Sequence, residues 1–319
     1  MKALITGVPG FAGSHLAENL LGHGYKVYGT HLPGESLRNL SECRNRIELF
    51  PMDFHKPEKI PSLLKNINPD YIFHLAALPS VGGSFLDPHE TYLVNFMGTF
   101  HLLQAVLDLK KLRKFIMVSS SDIYGVVRKN DLPIKINHPL RPVSPYAVSK
   151  AACDMMGYQY FKNYGLPVVR VRSFSHSGPR QARGFVIPDL SFQIAQLENS
   201  RKKQKVIKVG NLKARRDISD VRDIVDGYRL AAEKGRPGEV YQLCSGKAHA
   251  ISTLLNKLIK LSNDDIKTEI DQRLSRPTDL PVLKGDVSKA ENKLGYKRKY
   301  SINDTLKDCL DYYRSLQGG

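Results

Sequence analysis

Seven residues near the start of the chain, Gly7-Val8-Pro9-Gly10-Phe11-Ala12-Gly13, narrow its fold more than any others. They follow a short apolar run at 3–6 and lead into a helical pattern at 12–21. Glycines in a strand-to-helix turn let the backbone bend sharply and approach a pyrophosphate closely. That anion then meets the free N–H groups and positive dipole of the helix N-terminus. The G-x-x-G-x-x-G spacing is weak evidence by itself. Its place between a first strand and a first helix points to dinucleotide binding.

The pattern continues as such a fold requires. Apolar runs at 3–6, 26–29, 47–51, 71–75, 115–119 and 168–171 read as strands. Between them, 12–21, 58–65, 90–109 and 146–164 carry apolar residues at helical spacing, and Gly24 and Gly165 stand where helix C-caps belong. Strand–helix alternation implies right-handed crossovers and a parallel sheet covered on both faces. The expected fold class is therefore α/β, a Rossmann-type doubly wound parallel sheet with a smaller C-terminal substrate-binding domain. The division falls at 1–172 and 173–319, with a strand at 239–245 returning to the first sheet.

Composition removes several classes. Of 319 residues, 41% are hydrophobic and 25% charged, which is globular usage and not that of a disordered chain. No apolar run approaches the roughly 18 residues of a membrane span, and glycines interrupt the start before a leader could form. The four cysteines, Cys43, Cys153, Cys244 and Cys309, are far apart, which argues against a disulfide framework and for a reducing cytoplasm. The histidines contain no H-x-x-x-H pair, so no metal is expected. Net charge is +17. The densest run, Arg201-Lys202-Lys203-Gln204-Lys205, has no aromatic for stacking bases, so an anionic small molecule fits better than nucleic acid.

The second strand lacks the carboxylate that would bond an adenosine ribose. Thr30-His31 stands there, with Arg38 beyond, which favours NADP(H) with NAD(H) as the alternative; Glu35 is the one acid near enough to reverse it. Asp53, at the end of the third strand, suits the adenine amino group or caps the following helix.

Tyr146 and Lys150 are one helical turn apart and so share a face. Tyr158 and Lys162 repeat that spacing, but only the first pair follows Ser144-Pro145 and a strand ending in Ser119-Ser120-Ser121. A phenol with an ordinary pKa of about 10 needs a nearby ammonium to work as an acid or base at neutral pH.

Taken in order, the glycine turn, His74-Leu75-Ala76-Ala77, Asn95-Phe96-Met97-Gly98-Thr99, Ser119 to Gly125, Ser144 to Lys150, Arg172 to Pro179 and Arg276-Pro277-Thr278-Asp279 resemble the extended short-chain dehydrogenase/reductase family, which modifies nucleotide sugars. The resemblance runs end to end. Through Phe174 to Pro179, Gly184-Phe185-Val186, Val209 to Leu212, Arg216-Asp217 and Arg276 to Asp286 it is nearest to the GDP-4-keto-6-deoxy-mannose reductases and GDP-mannose 4,6-dehydratases. It implies Ser120, Tyr146 and Lys150 as the catalytic set, with Asp122 where dehydratases carry a proton-abstracting glutamate.

It implies a cofactor on Gly7, Gly10, Phe11, Ala12, Gly13, His31, Arg38, Asp53, Phe54, Leu75, Ala76, Ala77, Asn95, Tyr146, Lys150 and Phe174. The nucleotide-diphosphate sugar, GDP-linked, would lie on Ser80, Ser84, Ser120, Ser121, Ser175, Arg180, Val186, Val209, Asn211, Arg216, Arg276 and Asp279, with Arg216 and Arg276 on the diphosphate. Ser175 departs from the family's asparagine and Arg180 from the reductases' glycine. The opening loop lacks the dehydratases' Gly-Gln-Asp-Gly, and the stretch from Gly246 to Arg276 is short. Both favour NADPH-dependent reduction of a C4 ketone, GDP-4-keto-6-deoxy-D-mannose to GDP-D-rhamnose, over dehydration or 4-epimerisation. A homodimer is expected through the helical runs at 90–109 and 146–164, which carry surplus apolar residues including Met155, Met156, Tyr160 and Phe161. No nucleic acid or membrane partner is expected.

Overall fold

The computed structural model describes residues 1–201, 204–274 and 280–317. Strands β1 (Lys2–Thr6), β2 (Lys26–His31), β3 (Ile47–Pro51), β4 (Tyr71–His74), β5 (Lys114–Ser120) and β6 (Val168–Ser173) alternate with helices α1 (Phe11–Gly22), α2 (Ile60–Ile67), α3 (Val81–Leu86), α4 (Pro88–Tyr92), α5 (Gly98–Val106) and α6 (Pro145–Tyr164). Then follow β7 (Ser175–Ser177), α7 (Val186–Glu198), β8 (Lys205–Val209), β9 (Arg215–Asp220), α8 (Val221–Lys234), β10 (Val240–Leu243), β11 (Ala248–Ala250), α9 (Ile251–Ile259), β12 (Ile266–Ile270), β13 (Val282–Leu283), α10 (Ser288–Leu294) and α11 (Ile302–Ser315).

The main sheet is parallel throughout, in the order β10-β6-β5-β4-β1-β2-β3. Strand order reverses between β1 and β4, the crevice where doubly wound sheets bind ligands. Because both faces are covered, the central strands are apolar on both sides: Leu4 and Ile5 are adjacent and both fully buried. One face packs on α1, α8 and α10 through Leu16, Leu20, Ile224 and Ala290. The other packs on α2, α5 and α6 through Leu64, Leu102 and Tyr160.

β10 reaches the sheet only after an excursion through a second lobe, pairing with β6 in the register Val240↔Arg170. That lobe centres on β9, with β11 antiparallel and β13 and β7 parallel to it, and its core joins α7, α9 and α11.

The helix expected over 90–109 is interrupted. Leu93–Met97 form a π turn between α4 and α5. There the Thr99 hydroxyl occupies the Asn95 carbonyl at 2.5 Å, competing with the regular backbone bond. The helix expected from residue 58 opens as a 3₁₀ turn at Pro57–Lys59. α6 begins as its sequence signals: Ser144 accepts from the Ala147 N–H ahead of Pro145, and Gly165 ends the helix at φ +67°. Among the described residues, no helix is long and apolar enough to cross a membrane.

Candidate active site

The C-terminal ends of the central strands open into a cleft of about 1700 Å³ that runs from the Gly7 turn to α7, β8 and β9. One small-molecule site occupies about 300–1,000 Å³, so this cleft has room for two ligands side by side.

Backbone makes its first end. Gly7 sits at φ +69°, and a Cβ there would lie 2.9 Å from the Ala76 Cα. At Gly13 a Cβ would lie 2.5 Å from the Gly7 carbonyl oxygen. Both positions exclude a side chain, and the turn can fold flat against β4. The Thr6 hydroxyl holds the facing loop by accepting from the N–H groups of Leu75 (3.2 Å) and Ala76 (3.1 Å). His74 bridges Thr6 and Thr99, each at 2.8 Å, and burial pushes its pKa down to about 3, so it stays neutral.

Side chains make the centre. Ser120 ends β5, its hydroxyl accepting from the Asp122 N–H at 3.1 Å. The first turn of α6 brings Tyr146 to it. Burial raises the Tyr146 pKa above the usual phenol range, the Asp122 carboxylate raises it further, and a hydrogen bond with Ser120 opposes both. One turn on, Lys150 is buried and its pKa is lowered by that burial; its Nζ donates to the Val118 carbonyl at 3.1 Å. The cleft therefore holds a protonated phenol between a serine hydroxyl, a carboxylate and an amine.

Most sequence-predicted residues line this cleft. Gly7, Gly10, Phe11, Ala12, Gly13, His31, Asp53, Phe54, Leu75, Ala76, Ala77 and Phe174 do so at the nucleotide end and floor. Ser80, Ser121, Asp122, Ser175, Val186, Val209, Asn211 and Arg216 do so toward the other end. Arg276 and Asp279 lie outside the described residues. Asp53 accepts from the His55 N–H at 2.9 Å, and it is Lys56 that precedes the Pro57 turn, so Asp53 is not its cap.

Four expectations need correction. Arg38 faces a separate cavity behind α1 and donates to the Tyr312 hydroxyl at 3.1 Å. Asn95 is buried beneath the cleft, accepting from the Leu78 N–H at 2.7 Å and donating to the Ser149 hydroxyl at 3.1 Å; it supports the loop and does not line the cleft. Ser84 is turned inward on α3 and donates to the Val81 carbonyl at 2.7 Å. Arg180 reaches the cleft wall, but its guanidinium is bound to Glu18 at 2.5 Å and to His15 at 2.7 Å. Its φ of +71° explains why glycine suits this position.

Three cleft residues escaped the sequence reading. The Ser173 and Tyr228 hydroxyls pair at 2.9 Å across a separation of 55 residues, which no local pattern announces. His176 stacks on Phe11, with ring centroids 5.8 Å apart. Glu35, the acid that the sequence set against NADP(H), does line the cleft, its carboxylate folded back to the Leu32 N–H at 3.0 Å.

A family model for GDP-mannose 4,6 dehydratase matches residues 4–309. The GDP-6-deoxy-D-mannose reductase of Pseudomonas aeruginosa is 29% identical over 314 residues, covering 98% of this chain and 97% of that protein. The GDP-mannose 4,6 dehydratase 1 of Arabidopsis thaliana is 30% identical over 327 residues, covering 97% and 88%. The structure of RMD from Pseudomonas aeruginosa complexed with NADPH superimposes with a TM-score of 0.84 at 29% identity, covering 99% of each chain.

Proposed function

This chain belongs to the GDP-mannose 4,6-dehydratase family, as a nucleotide-sugar-modifying enzyme of the dehydratase/reductase kind, and we propose that it is a reductase. Its substrate is a nucleotide-linked 4-keto-6-deoxy sugar, GDP-4-keto-6-deoxy-D-mannose, and its product GDP-D-rhamnose. A nicotinamide dinucleotide bound on the Gly7 turn supplies the hydride to C4. Tyr146 gives its phenolic proton to the C4 oxygen, Ser120 orients that oxygen, and Lys150 holds the nicotinamide ribose. Arg216 and Arg276 grip the diphosphate.

The observation that carries this reading is geometric: the Ser120 hydroxyl meets the Tyr146 phenol where β5 and α6 converge, Lys150 stands one turn on, and the Gly7 turn opens into the same cleft, an arrangement suited to hydride and proton transfer to one carbonyl. Burial and the Asp122 carboxylate raise the Tyr146 pKa, which suits a proton donor. Asp122 favours the second reading, a dehydratase, because a carboxylate beside Tyr146 stands where a base at sugar C5 is needed.

NADPH is the cofactor we propose, supported by the relative crystallised with it and by His31 at the ribose corner. With Arg38 turned away and Glu35 on the same corner, the preference is small and NADH is used as well. A homodimer rests on the exposed apolar side chains of α6, Val148, Met155 and Tyr158; Tyr160 belongs to the core.

The test is product analysis by NMR. GDP-4-keto-6-deoxy-D-mannose with NADPH should give the 6-deoxy sugar, and GDP-mannose alone should stay unchanged. Conversion of GDP-mannose to its 4-keto derivative would make the enzyme a dehydratase.

A further inference from the structure

Ser120 and Tyr146 arrive on different elements, the end of β5 and the first turn of α6, and helix ends are where backbone geometry is loosest. Something must hold their separation. Asp154 is on α6, two turns beyond Tyr146 and fully buried. Its carboxylate takes a fork from Arg172, Nε at 2.9 Å and Nη2 at 2.8 Å, and a third bond from Arg170 Nη1 at 2.9 Å. Arg172 then turns its remaining nitrogen the other way. Nη1 donates to the Tyr124 hydroxyl and to the Ile136 carbonyl, both at 2.9 Å.

Tyr124 closes the 3₁₀ turn Ser121–Tyr124 that begins at Ser120 and contains Asp122, and it is fully buried. Its hydroxyl donates onward to the side-chain carbonyl of Gln242 on β10 at 2.8 Å. The Gln242 amide nitrogen in turn donates to Ile134 at 3.1 Å and Asp286 at 2.8 Å. One rigid guanidinium plane thus joins the helix carrying Tyr146 and Lys150 to the turn carrying Ser120 and Asp122.

We propose that Arg172 is a positioning residue: with Asp154 and Tyr124 it sets the spacing between the Ser120 hydroxyl and the Tyr146 phenol. Buried ion pairs are weak sources of stability, and their best-attested use is to fix register between elements. The fork geometry suits that use, because lysine offers one point charge and cannot span both partners. This rests on the reductase reading for its kinetic readout only.

Tyr124→Phe is the sharpest test, since it cuts the link to the serine turn and leaves the Arg172–Asp154 pair whole. The expected kcat falls on the order of tenfold in a protein that still folds, with KM and cofactor affinity near wild type and the melting temperature lower by a few degrees, because the buried Gln242 carbonyl loses its donor. The Ser120 bond holds the Tyr146 pKa down, so loosening it moves the alkaline limb of the kcat profile to higher pH, which a structural role alone would not do. Arg172→Lys should lose on the order of a hundredfold in kcat and gain little further loss from Tyr124→Phe. Wild-type kcat and pH limb in folded Tyr124→Phe overturn the proposal, as does an activity loss that only tracks loss of folded protein; if Arg172→Lys does not fold, Tyr124→Phe decides.

Should the wild-type enzyme reduce no 4-keto sugar, the functional reading has failed and the brace is judged without turnover. In tyrosine labelled at ¹³Cζ, the Tyr146 resonance, assigned with Tyr146→Phe, should shift in Tyr124→Phe. An unmoved resonance overturns the brace independently.

Discussion

The two ends of the cleft are built from different materials. At the Gly7 end the surface is backbone: glycines that leave no room for a Cβ, a helix N-terminus, and loop amides held by Thr6. At the α7–β9 end it is side chains from segments far apart in sequence, among them Arg183, Lys208 and Arg216, and Arg183 is 62% exposed over the Phe192 ring. A backbone site tolerates few substitutions and binds one shape; a side-chain site can be re-specified residue by residue.

The largest effect should fall where the two ends meet. Tyr146→Phe keeps the ring and removes the proton, so reduction should drop about 10²–10⁴-fold while both ligands still bind, measured by stopped-flow turnover and calorimetry. Tyr158→Phe, with the same lysine one turn away but an exposed ring under Arg170, should keep its activity. The comparison itself breaks if Gly7→Ala is harmless. Its φ of +69° and the 2.9 Å approach to Ala76 predict a loss of cofactor affinity on the order of 10- to 100-fold, with GDP affinity unchanged.

Arg216→Met is the converse: GDP affinity should fall about tenfold and NADPH affinity should not move. A fall in both would mean that the two ends are not separable. The smallest effect belongs to Glu35→Gln. Removing an exposed carboxylate from the ribose corner should raise the NADPH:NADH affinity ratio about threefold at low salt, and less as salt screens it.

What was legible in the sequence follows the same division. The Gly7 turn was readable because steric exclusion acts through residue type alone. The Ser120–Tyr146–Lys150 set was readable because a strand end and an i, i+4 helix pair fix direction locally. Arg38, Asn95 and Ser84 were misplaced because their direction depends on tertiary partners: Tyr312 for Arg38, Leu78 and Ser149 for Asn95, and the inward face of α3 for Ser84. The π turn at Leu93–Met97 hides in an ordinary helical pattern, since its cause is one hydroxyl, Thr99, competing for the carbonyl four residues back. Ser173 with Tyr228, and Arg172 with Tyr124, are meetings of distant residues that no window of sequence contains.

The return of β10 to the main sheet bears on how the chain comes off the ribosome. β6 is complete at Ser173, but its neighbour does not begin until Val240, and the whole second lobe core begins to be made in between. At about 5–20 residues per second the outer edge of β6 stays bare for several seconds, offering unpaired N–H and carbonyl groups to any passing strand. A nascent chain stalled or cleaved in the 180–239 stretch therefore shows the whole six-residue edge of β6, whereas one that has passed residue 243 shows only the four residues of β10, a shorter template for a stray strand.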